Sequence, residues 1–190
     1  ADYNSFEELC SDFEIELKRE LNILLKRLDI YLDCYAKYRP SFLLSSMTHD
    51  CLESGRSING GGARYMDYGG SGVGIPNVGD SLYAIKRAIF DDKICSSEEL
   101  LDALKVNFVG YEKLHSYLNN LPKFGSDNPE VDSLVDWVLL KFTDILKSHR
   151  NKYGGHCRPI ILGFVWVVSY GDQVGATPDG RLSGRPLAHG

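Results

Sequence analysis

The sequence has few cysteines, and none of them stands in a pattern that metal or disulfide chemistry uses. Its five cysteines are widely spaced and never form a Cys-x-x-Cys pair. Such spacing argues against a zinc site and against a disulfide framework. It fits a protein of the reducing cytoplasm. We therefore expect each cysteine to be a small buried hydrophobe rather than a metal ligand or a reactive thiol.

Long apolar runs and an excess of basic residues are missing as well. No stretch reaches 18 consecutive apolar residues, and the acidic N-terminal segment has no apolar run, so neither a transmembrane helix nor a signal peptide is predicted. The net charge of −5 disfavours nucleic acid as a partner. At 190 residues and 43% hydrophobic composition, the chain is typical of a globular domain or of part of a larger one.

The glycine motifs of nucleotide-binding proteins are also absent, although glycine is concentrated after Asn59. Gly70, Gly72 and Gly74 alternate, but position 77 is Asn, so no Gly-x-Gly-x-x-Gly fingerprint exists. No Gly-x-x-x-x-Gly-Lys-Ser/Thr motif occurs either, which excludes a P-loop. We predict a glycine-rich loop over residues 59–79 that threads between packed elements.

Helical patterns fill most of the remaining chain. Residues 1–58 predict a helix of about 30 residues that begins near Phe6, ends before Pro40 and is followed by a second helix. The first helix is long for a small domain, which indicates a larger body; a coiled coil is the disfavoured alternative. That second helix is expected over 41–53, with Gly55 as its stop. Four helices are predicted in residues 80–150: one with Asp80 as its N-cap, one over 100–107, one over 111–120, and one from Pro129 to about His149.

One apolar run, Pro159 to Tyr170, stands near the end in residues 151–190. Its branched and aromatic residues are apolar on both faces, which predicts a strand buried on both sides. No partner strand is evident elsewhere in the sequence, so we expect the partners to lie outside these residues. In isolation the chain is expected to fold poorly, because such a strand would stay exposed.

Six blocks of sequence resemble the pyruvate formate-lyase-like domain of the glycyl radical enzymes, from about Ser5 to Gly190. The blocks stand in the family's order and spacing: GGARY (61–65), GIPNVGDSL (74–82) with AIK (84–86), GYE (110–112), PKFGSD (122–127) with VD (131–132), GG (154–155), and ATPDGR (176–181) with PLA (186–188). The resemblance is closer to the dehydratase, decarboxylase and C–N or C–S lyase branches than to pyruvate formate-lyase, a formate acetyltransferase.

The resemblance implies a fold that is mostly α with a few strands, as a partial segment of an α/β barrel made of two five-stranded half-barrels. It also implies anaerobic radical chemistry. A stored glycyl radical, installed by an S-adenosylmethionine/iron–sulfur activase, passes to a cysteine, which abstracts hydrogen from a small substrate; a nearby Glu or Asp serves as acid/base. A dry, closed interior protects such radicals.

Two family motifs do not occur in these 190 residues. They are the Arg-Val-x-Gly-Tyr motif of the radical glycine and the Gly-Cys-x-Glu motif of the cysteine. No catalytic residue, metal ligand or cofactor is therefore assigned to this chain. We expect an internal fragment of about a quarter of the enzyme, inactive alone. Its expected partners are a small substrate, the activase, the remainder of the barrel and a second copy in a possible homodimer.

The resemblance also places the apolar run at the substrate pocket. The inward set would be Leu162, Phe164 and Trp166, or the alternating set Ile161, Gly163 and Val165; plain barrel packing is the competing interpretation. Leu162 in the pocket would favour an apolar or aromatic substrate. Arg158 and His156 can bind a carboxylate, or stay solvated. Asp179 and Arg181 are expected to fix a turn.

Two other functions remain open from the sequence. A truncated gene would leave a non-catalytic helical binding or interaction module. A nucleotide-binding domain is a weaker alternative, because the glycine spacing fails its fingerprint.

Overall fold

The computed structural model describes residues 3–189, and most of them are helical. The elements, in chain order, are α1 (Phe6–Tyr38), α2 (Phe42–Ser46), α3 (Cys51–Ser54), a 3-10 turn (Ile58–Gly60), β1 (Tyr68–Gly72), α4 (Ile75–Ile85) with a π-helical turn (Lys86–Asp91), α5 (Ser97–Lys105), α6 (Glu112–Asn120), α7 (Pro129–Ser148), β2 (Cys157–Ile161) and α8 (Trp166–Gly171). Within this part of the chain, no helix combines the length and the apolar character needed to cross a membrane.

Helix α1 confirms the long helix that the apolar spacing predicts. The Glu8 N–H donates to the Ser5 hydroxyl at 3.2 Å, so Ser5 caps the N-terminus of α1. The Glu8 carboxylate accepts the Asn4 N–H at 2.9 Å. The apolar spacing places Leu24 on the buried face, and that expectation is wrong, because Leu25 is buried while Leu24 is 46% exposed. Tyr31 is exposed too, so the last turns of α1 bury less than their apolar pattern indicates.

The prediction of one helix over 41–53 is wrong, because the chain breaks between α2 and α3. Asp50 has a left-handed φ of 72°, which a continuous helix does not allow. Its carboxylate receives two hydrogen bonds from Arg64, at 2.8 and 2.7 Å, and these hold the break in place. Gly55, with a φ of 64°, ends α3 as predicted.

The described residues form two compact units, and the first comprises 3–13, 71–141 and 161–189. Its main core joins small and large apolar side chains of α4 to α6 and the intervening turns: Ala84, Ala88, Leu100, Ala103, Phe108, Leu114 and Leu118. Gly79 lets α4 approach α7, because a Cβ there would lie 2.3 Å from the Val135 Cγ2. Helix α4 begins at Ile75, so the prediction of Asp80 as its N-cap is wrong and Asp80 lies inside the helix.

The second unit comprises residues 14–70 and 142–160. Buried Asn151 organises its glycine-rich turn. Its Nδ2 donates to the Met66 carbonyl at 2.8 Å, and its Oδ1 accepts the N–H groups of Tyr153 and Gly155, each at 2.9 Å. Gly155 packs against the Met66 carbonyl so closely that a side chain would not fit.

Strands β1 and β2 pair with each other, which corrects two predictions. Tyr68 donates its N–H to the His156 carbonyl at 3.0 Å and Leu162 donates to the Gly72 carbonyl at 3.4 Å, so the strands run parallel. A partner strand therefore lies inside the predicted glycine loop, as Tyr-Gly-Gly-Ser-Gly. The predicted strand over 159–170 ends at Ile161, and residues 166–171 are helical.

Candidate substrate-facing segment

Arg158, on β2, is held by Asp67 rather than left as a free loop cation. Its Nε donates to the Asp67 carboxylate at 2.7 Å, and its Nη2 lies 2.5 Å from the same oxygen. The other oxygen accepts the backbone N–H of His156 at 2.8 Å. The pKa of Asp67 is lowered, first by the His156 N–H and then by Arg158. The Arg158 side chain nevertheless stays largely exposed and keeps donors for another acceptor.

The residues predicted to face a substrate lie on the apolar segment, which we define as residues 161–170. Phe164 is 71% exposed, and Leu162 and Trp166 are about half exposed. Strand alternation does not relate them, because Leu162 follows β2, Phe164 lies in a turn and Trp166 begins α8. The side chains of the alternating set do not form a buried face either, since Val165 is also exposed and Gly163 has no side chain. The segment thus presents both sets to solvent in the described chain.

Helix α8 buries one side against the C-terminal strap, which we define as residues 185–189. The Leu187 N–H donates to the carbonyl of buried Val167 at 3.0 Å. A Cβ at Gly171 would lie 2.4 Å from the Arg185 carbonyl oxygen. A Cβ at Gly163 would lie 2.7 Å from the His189 Nδ1. The strap therefore backs the apolar segment at both ends of α8.

The strap is tied to α4 through a buried polar group that we call the Asn77 junction: Asn77, Thr177, Asp179, Arg181 and Ala188. The Asn77 Nδ2 donates to the Asp179 Oδ2 at 2.7 Å, and its Oδ1 accepts the Ala188 N–H at 2.6 Å. The Asp179 Oδ1 accepts the Thr177 hydroxyl at 2.5 Å and the Arg181 N–H at 3.3 Å. Asp179 and Arg181 fix a turn, as predicted.

A cavity of about 320 Å³ opens beside this junction and includes Asp80 and Lys123 in its wall. The Asp80 carboxylate accepts the Phe124 N–H at 2.8 Å, yet burial raises the pKa of Asp80 to about 6. Burial lowers the pKa of Lys123, against the pull of Asp179 and Asp80. The Lys123 ammonium donates to the Leu118 carbonyl at 2.7 Å, so both charged groups have a structural partner.

Three of the five cysteines lie in surroundings that disfavour the thiolate form. Burial raises the pKa of Cys10 and Cys157, and it raises the pKa of Cys95 to about 11. Cys51 and Cys157 are buried as predicted, whereas Cys34 is exposed and corrects that expectation. Among residues 3–189, no group of three or more His, Cys, Asp or Glu side chains could hold a metal ion.

Sequence reasoning does not find the Asn77 junction or the strap. Asn77 stands in the GIPNVGDSL block, but a buried asparagine can be recognised only when its partner, Asp179, is known, and that partner lies 102 residues later. The partners of Asn77 come from a turn and an irregular segment, which carry no periodic pattern.

Comparison with known proteins gives a consistent result over nearly the whole chain. Residues 1–171 match the pyruvate formate lyase-like family. The chain is 33% identical over 189 residues to the trans-4-hydroxy-L-proline dehydratase of Clostridioides difficile, a match that covers 99% of the chain and 24% of the dehydratase. It is 25% identical over 210 residues to the glycyl radical subunit of 4-hydroxyphenylacetate decarboxylase from the same species, covering 98% of the chain and 23% of that subunit.

The fold agrees with this result. The B12-independent glycerol dehydratase of Clostridium butyricum, in its glycerol-bound form, superposes with a TM-score of 0.92 at 34% identity, covering 98% of this chain and 24% of that one. The relatives are glycyl radical enzymes that include dehydratases, a sulfite-lyase and a decarboxylase. The chain spans about a quarter of their length, so it corresponds to a partial segment of their fold. The predicted resemblance and fold class are confirmed, and the chain belongs to the pyruvate formate lyase-like family of glycyl radical enzymes.

Proposed function

We propose that this chain is part of a cytoplasmic glycyl radical dehydratase that removes water from a small hydroxylated substrate. The observation that carries the proposal is the match of 98% of the chain, at a TM-score of 0.92, to a dehydratase with glycerol bound. The dehydratase at 33% identity, which acts on trans-4-hydroxy-L-proline, supports the same reaction class. Both reactions remove a hydroxyl group from a small molecule, and so would the reaction proposed here.

The apolar segment is proposed to form one wall of the substrate pocket. Its side chains are exposed in the described chain, although Leu162, Phe164 and Trp166 each carry a large apolar surface. Exposed apolar surface of this kind marks a binding or packing face. A wall of such side chains would keep water from the reacting carbon atoms and would favour a substrate with an apolar or aromatic face. Leu162 is the residue proposed to set that preference.

Arg158 is proposed to bind a substrate carboxylate where the substrate has one. Two of its N–H groups face Asp67, which fixes the guanidinium plane. The remaining donors can form charge-assisted hydrogen bonds with a carboxylate. Arg158→Ala is expected to raise KM about ten-fold for a hydroxy acid such as trans-4-hydroxy-L-proline and to leave KM for glycerol within about a factor of two. Equal changes for the two substrates would contradict this role.

The radical itself belongs to the proposed complete enzyme. A glycyl radical would supply the unpaired electron needed to abstract hydrogen from a substrate carbon atom. No residue of this chain is assigned a part in that step. An S-adenosylmethionine/iron–sulfur activase, the remainder of the barrel and a second copy of the enzyme are the proposed partners. This chain would contribute the wall and the residues that support it.

The test uses the complete protein that carries this chain, purified without oxygen and incubated with an activase and S-adenosylmethionine. Electron paramagnetic resonance is expected to show a glycyl radical doublet, and mass spectrometry is expected to show loss of one water from glycerol or from trans-4-hydroxy-L-proline. A radical with turnover of neither hydroxylated substrate, but cleavage of a C–C or C–S bond, would replace dehydration by another lyase reaction. Absence of the radical after activation would contradict the proposal and favour a non-catalytic module.

A further inference from the structure

A single buried amide, that of Asn77, connects α4 to both the turn at 177–181 and the C-terminal strap. The two sides of the amide have opposite requirements. The Ala188 N–H can only donate, and it lies 2.6 Å from the Oδ1; the Asp179 carboxylate can only accept, and it lies 2.7 Å from the Nδ2. These partners fix the orientation of the side chain, which is buried together with Asp179.

The strap contacts both Asn77 and the apolar segment. Ala188 is held by Asn77, and the neighbouring Leu187 donates its N–H to the Val167 carbonyl at 3.0 Å. At the far end of α8, Gly171 touches the Arg185 backbone, and before α8 begins Gly163 touches His189. The strap therefore packs against the backbone at Gly163, Val167 and Gly171, along most of the apolar segment and at the end of α8.

We infer that Asn77 is a positioning residue: through Asp179 and the Ala188 N–H it fixes the strap, and through the strap it fixes the surface that Leu162, Phe164 and Trp166 present to a substrate. The inference rests on the proposed function of the apolar segment. The hydrogen bonds of the Asn77 side chain go to the turn and the strap, so its effect on the segment is indirect. A displacement of even about 1 Å in a substrate-binding surface can lower catalytic efficiency up to about 100-fold.

The pair Asn77 and Asp179 permits a test by exchange. Asn77→Asp alone places two carboxylates against each other, which should release the strap. The double variant N77D/D179N restores the geometry with the charge unchanged. The carboxylate now at position 77 accepts from the amide Nδ2 at position 179 and from the Ala188 N–H, and the amide oxygen at position 179 still accepts from Thr177 and from the Arg181 N–H. A residue that merely fills space would not be rescued by such an exchange.

The experiment compares the wild type, N77D, D179N and N77D/D179N in the complete, radical-activated protein, with glycerol and trans-4-hydroxy-L-proline as probes. Hydrogen exchange is read on peptides covering 163–171 and 185–189, and KM and kcat are measured at equal radical content. We expect N77D to increase exchange in both peptides and to raise KM by about ten-fold or more, with a smaller change in kcat. The double variant should return exchange and KM to within about three-fold of the wild type.

The outcomes separate this inference from the function on which it rests. Unchanged exchange in N77D, or failure of the double variant to restore it, overturns the positioning role while leaving the dehydratase assignment intact. Increased exchange with unchanged KM shows that the strap is held by Asn77 but that the segment does not face the substrate, which overturns the inference. If N77D is not soluble, Asn77→Ala replaces it: this variant removes both hydrogen bonds without adding a charge, and it must also raise exchange and KM.

Discussion

The Asn77 junction and the apolar segment lie in the same unit but satisfy their chemical groups in opposite ways. In the junction, the polar side chains have partners within the described chain, and Asn77 and Asp179 are nearly inaccessible. In the apolar segment, large side chains such as Phe164 and Trp166 are exposed, although burying them would be favourable. The junction is self-sufficient, whereas the segment presents an apolar surface that residues 3–189 leave uncovered.

This difference separates residues that hold the fold from residues available for recognition. A satisfied buried network specifies one backbone arrangement, because any other arrangement leaves donors or acceptors unpaired. An exposed apolar strip contributes little to the stability of its own chain, but it can bind whatever apolar surface or substrate comes against it. The strap connects the two regions. Substitutions at the contact between the strap and α8 therefore test whether the two regions depend on each other.

The largest expected effect comes from forcing the strap away from α8. Gly171→Ala places a methyl group 2.4 Å from the Arg185 carbonyl oxygen, so the backbones must separate. We expect a loss of about 3 kcal/mol in the free energy of unfolding, the upper end of what overpacking typically costs, because the clash is with backbone. Gly175→Ala is the matched control, because a Cβ at that position would have no atom within 4 Å. Equal melting temperatures for the two variants would contradict the close packing of strap and helix.

The next effect tests whether the buried carboxylate of Asp80 lowers the free energy of unfolding at neutral pH. Because burial raises the pKa of Asp80 from 3.8 to about 6, the carboxyl favours folding below about pH 4, and this contribution is lost as the pH rises through 6. Asp80→Asn keeps the acceptor for the Phe124 N–H without a charge. It should raise stability at about pH 7.5 by up to about 2 kcal/mol, since each pKa unit corresponds to about 1.4 kcal/mol and solvent in the open cavity screens part of the effect.

Thermal unfolding of Asp80→Asn at about pH 4, 5.5 and 7.5 measures this effect, with Asp80→Ala as its control. The asparagine variant should differ little from the wild type at the lowest pH. The alanine variant loses the acceptor and should be less stable than the asparagine variant at every pH. A stabilisation by Asp80→Asn that does not grow as the pH rises would contradict the buried-charge interpretation.

The last of these stability predictions compares two neighbours on α8. Val167 is 2% exposed and Val168 is 52% exposed. Val167→Ala should cost about 2 kcal/mol through lost burial and the cavity left behind, whereas Val168→Ala should cost less than about 0.5 kcal/mol if its side chain stays exposed. Chemical denaturation of both variants measures the difference. A larger cost for Val168→Ala in the complete protein would show that the exposed side of α8 becomes buried there.

Local signals in the sequence are sufficient for the elements that depend on neighbouring residues. Two further N-caps form, with the Glu99 N–H donating to the Ser96 hydroxyl at 3.1 Å and the Val131 N–H donating to the Asn128 carboxamide at 3.3 Å. A cap needs only residues about three or four positions apart, so the sequence contains all of its information. Fold class and family are predictable because six motifs recur in a fixed order.

Elements that depend on distant partners cannot be predicted in this way. Strand β1 consists largely of glycine and serine, which have no strand preference, and it forms because β2 pairs with it. The apolar run from Pro159 reads as one strand, since a short apolar run does not distinguish strand from helix. Residues 166–171 are helical where they meet the strap: the Leu187 N–H donates to the Val167 carbonyl, and the strap backbone packs on Gly171. The prediction of Asp80 as a cap fails for the same reason, as its Phe124 partner is 44 residues away.

The most direct test of the central claim is the KM of Leu162→Ala for glycerol and for trans-4-hydroxy-L-proline, in the complete enzyme at equal radical content. Leu43→Ala is the control, because Leu43 is 78% exposed on α2, in the other unit. If the apolar segment forms the substrate wall, Leu162→Ala changes KM by about ten-fold or more for at least one substrate, and Leu43→Ala changes it by less than about two-fold. Wild-type KM values for both substrates in Leu162→Ala would contradict the account.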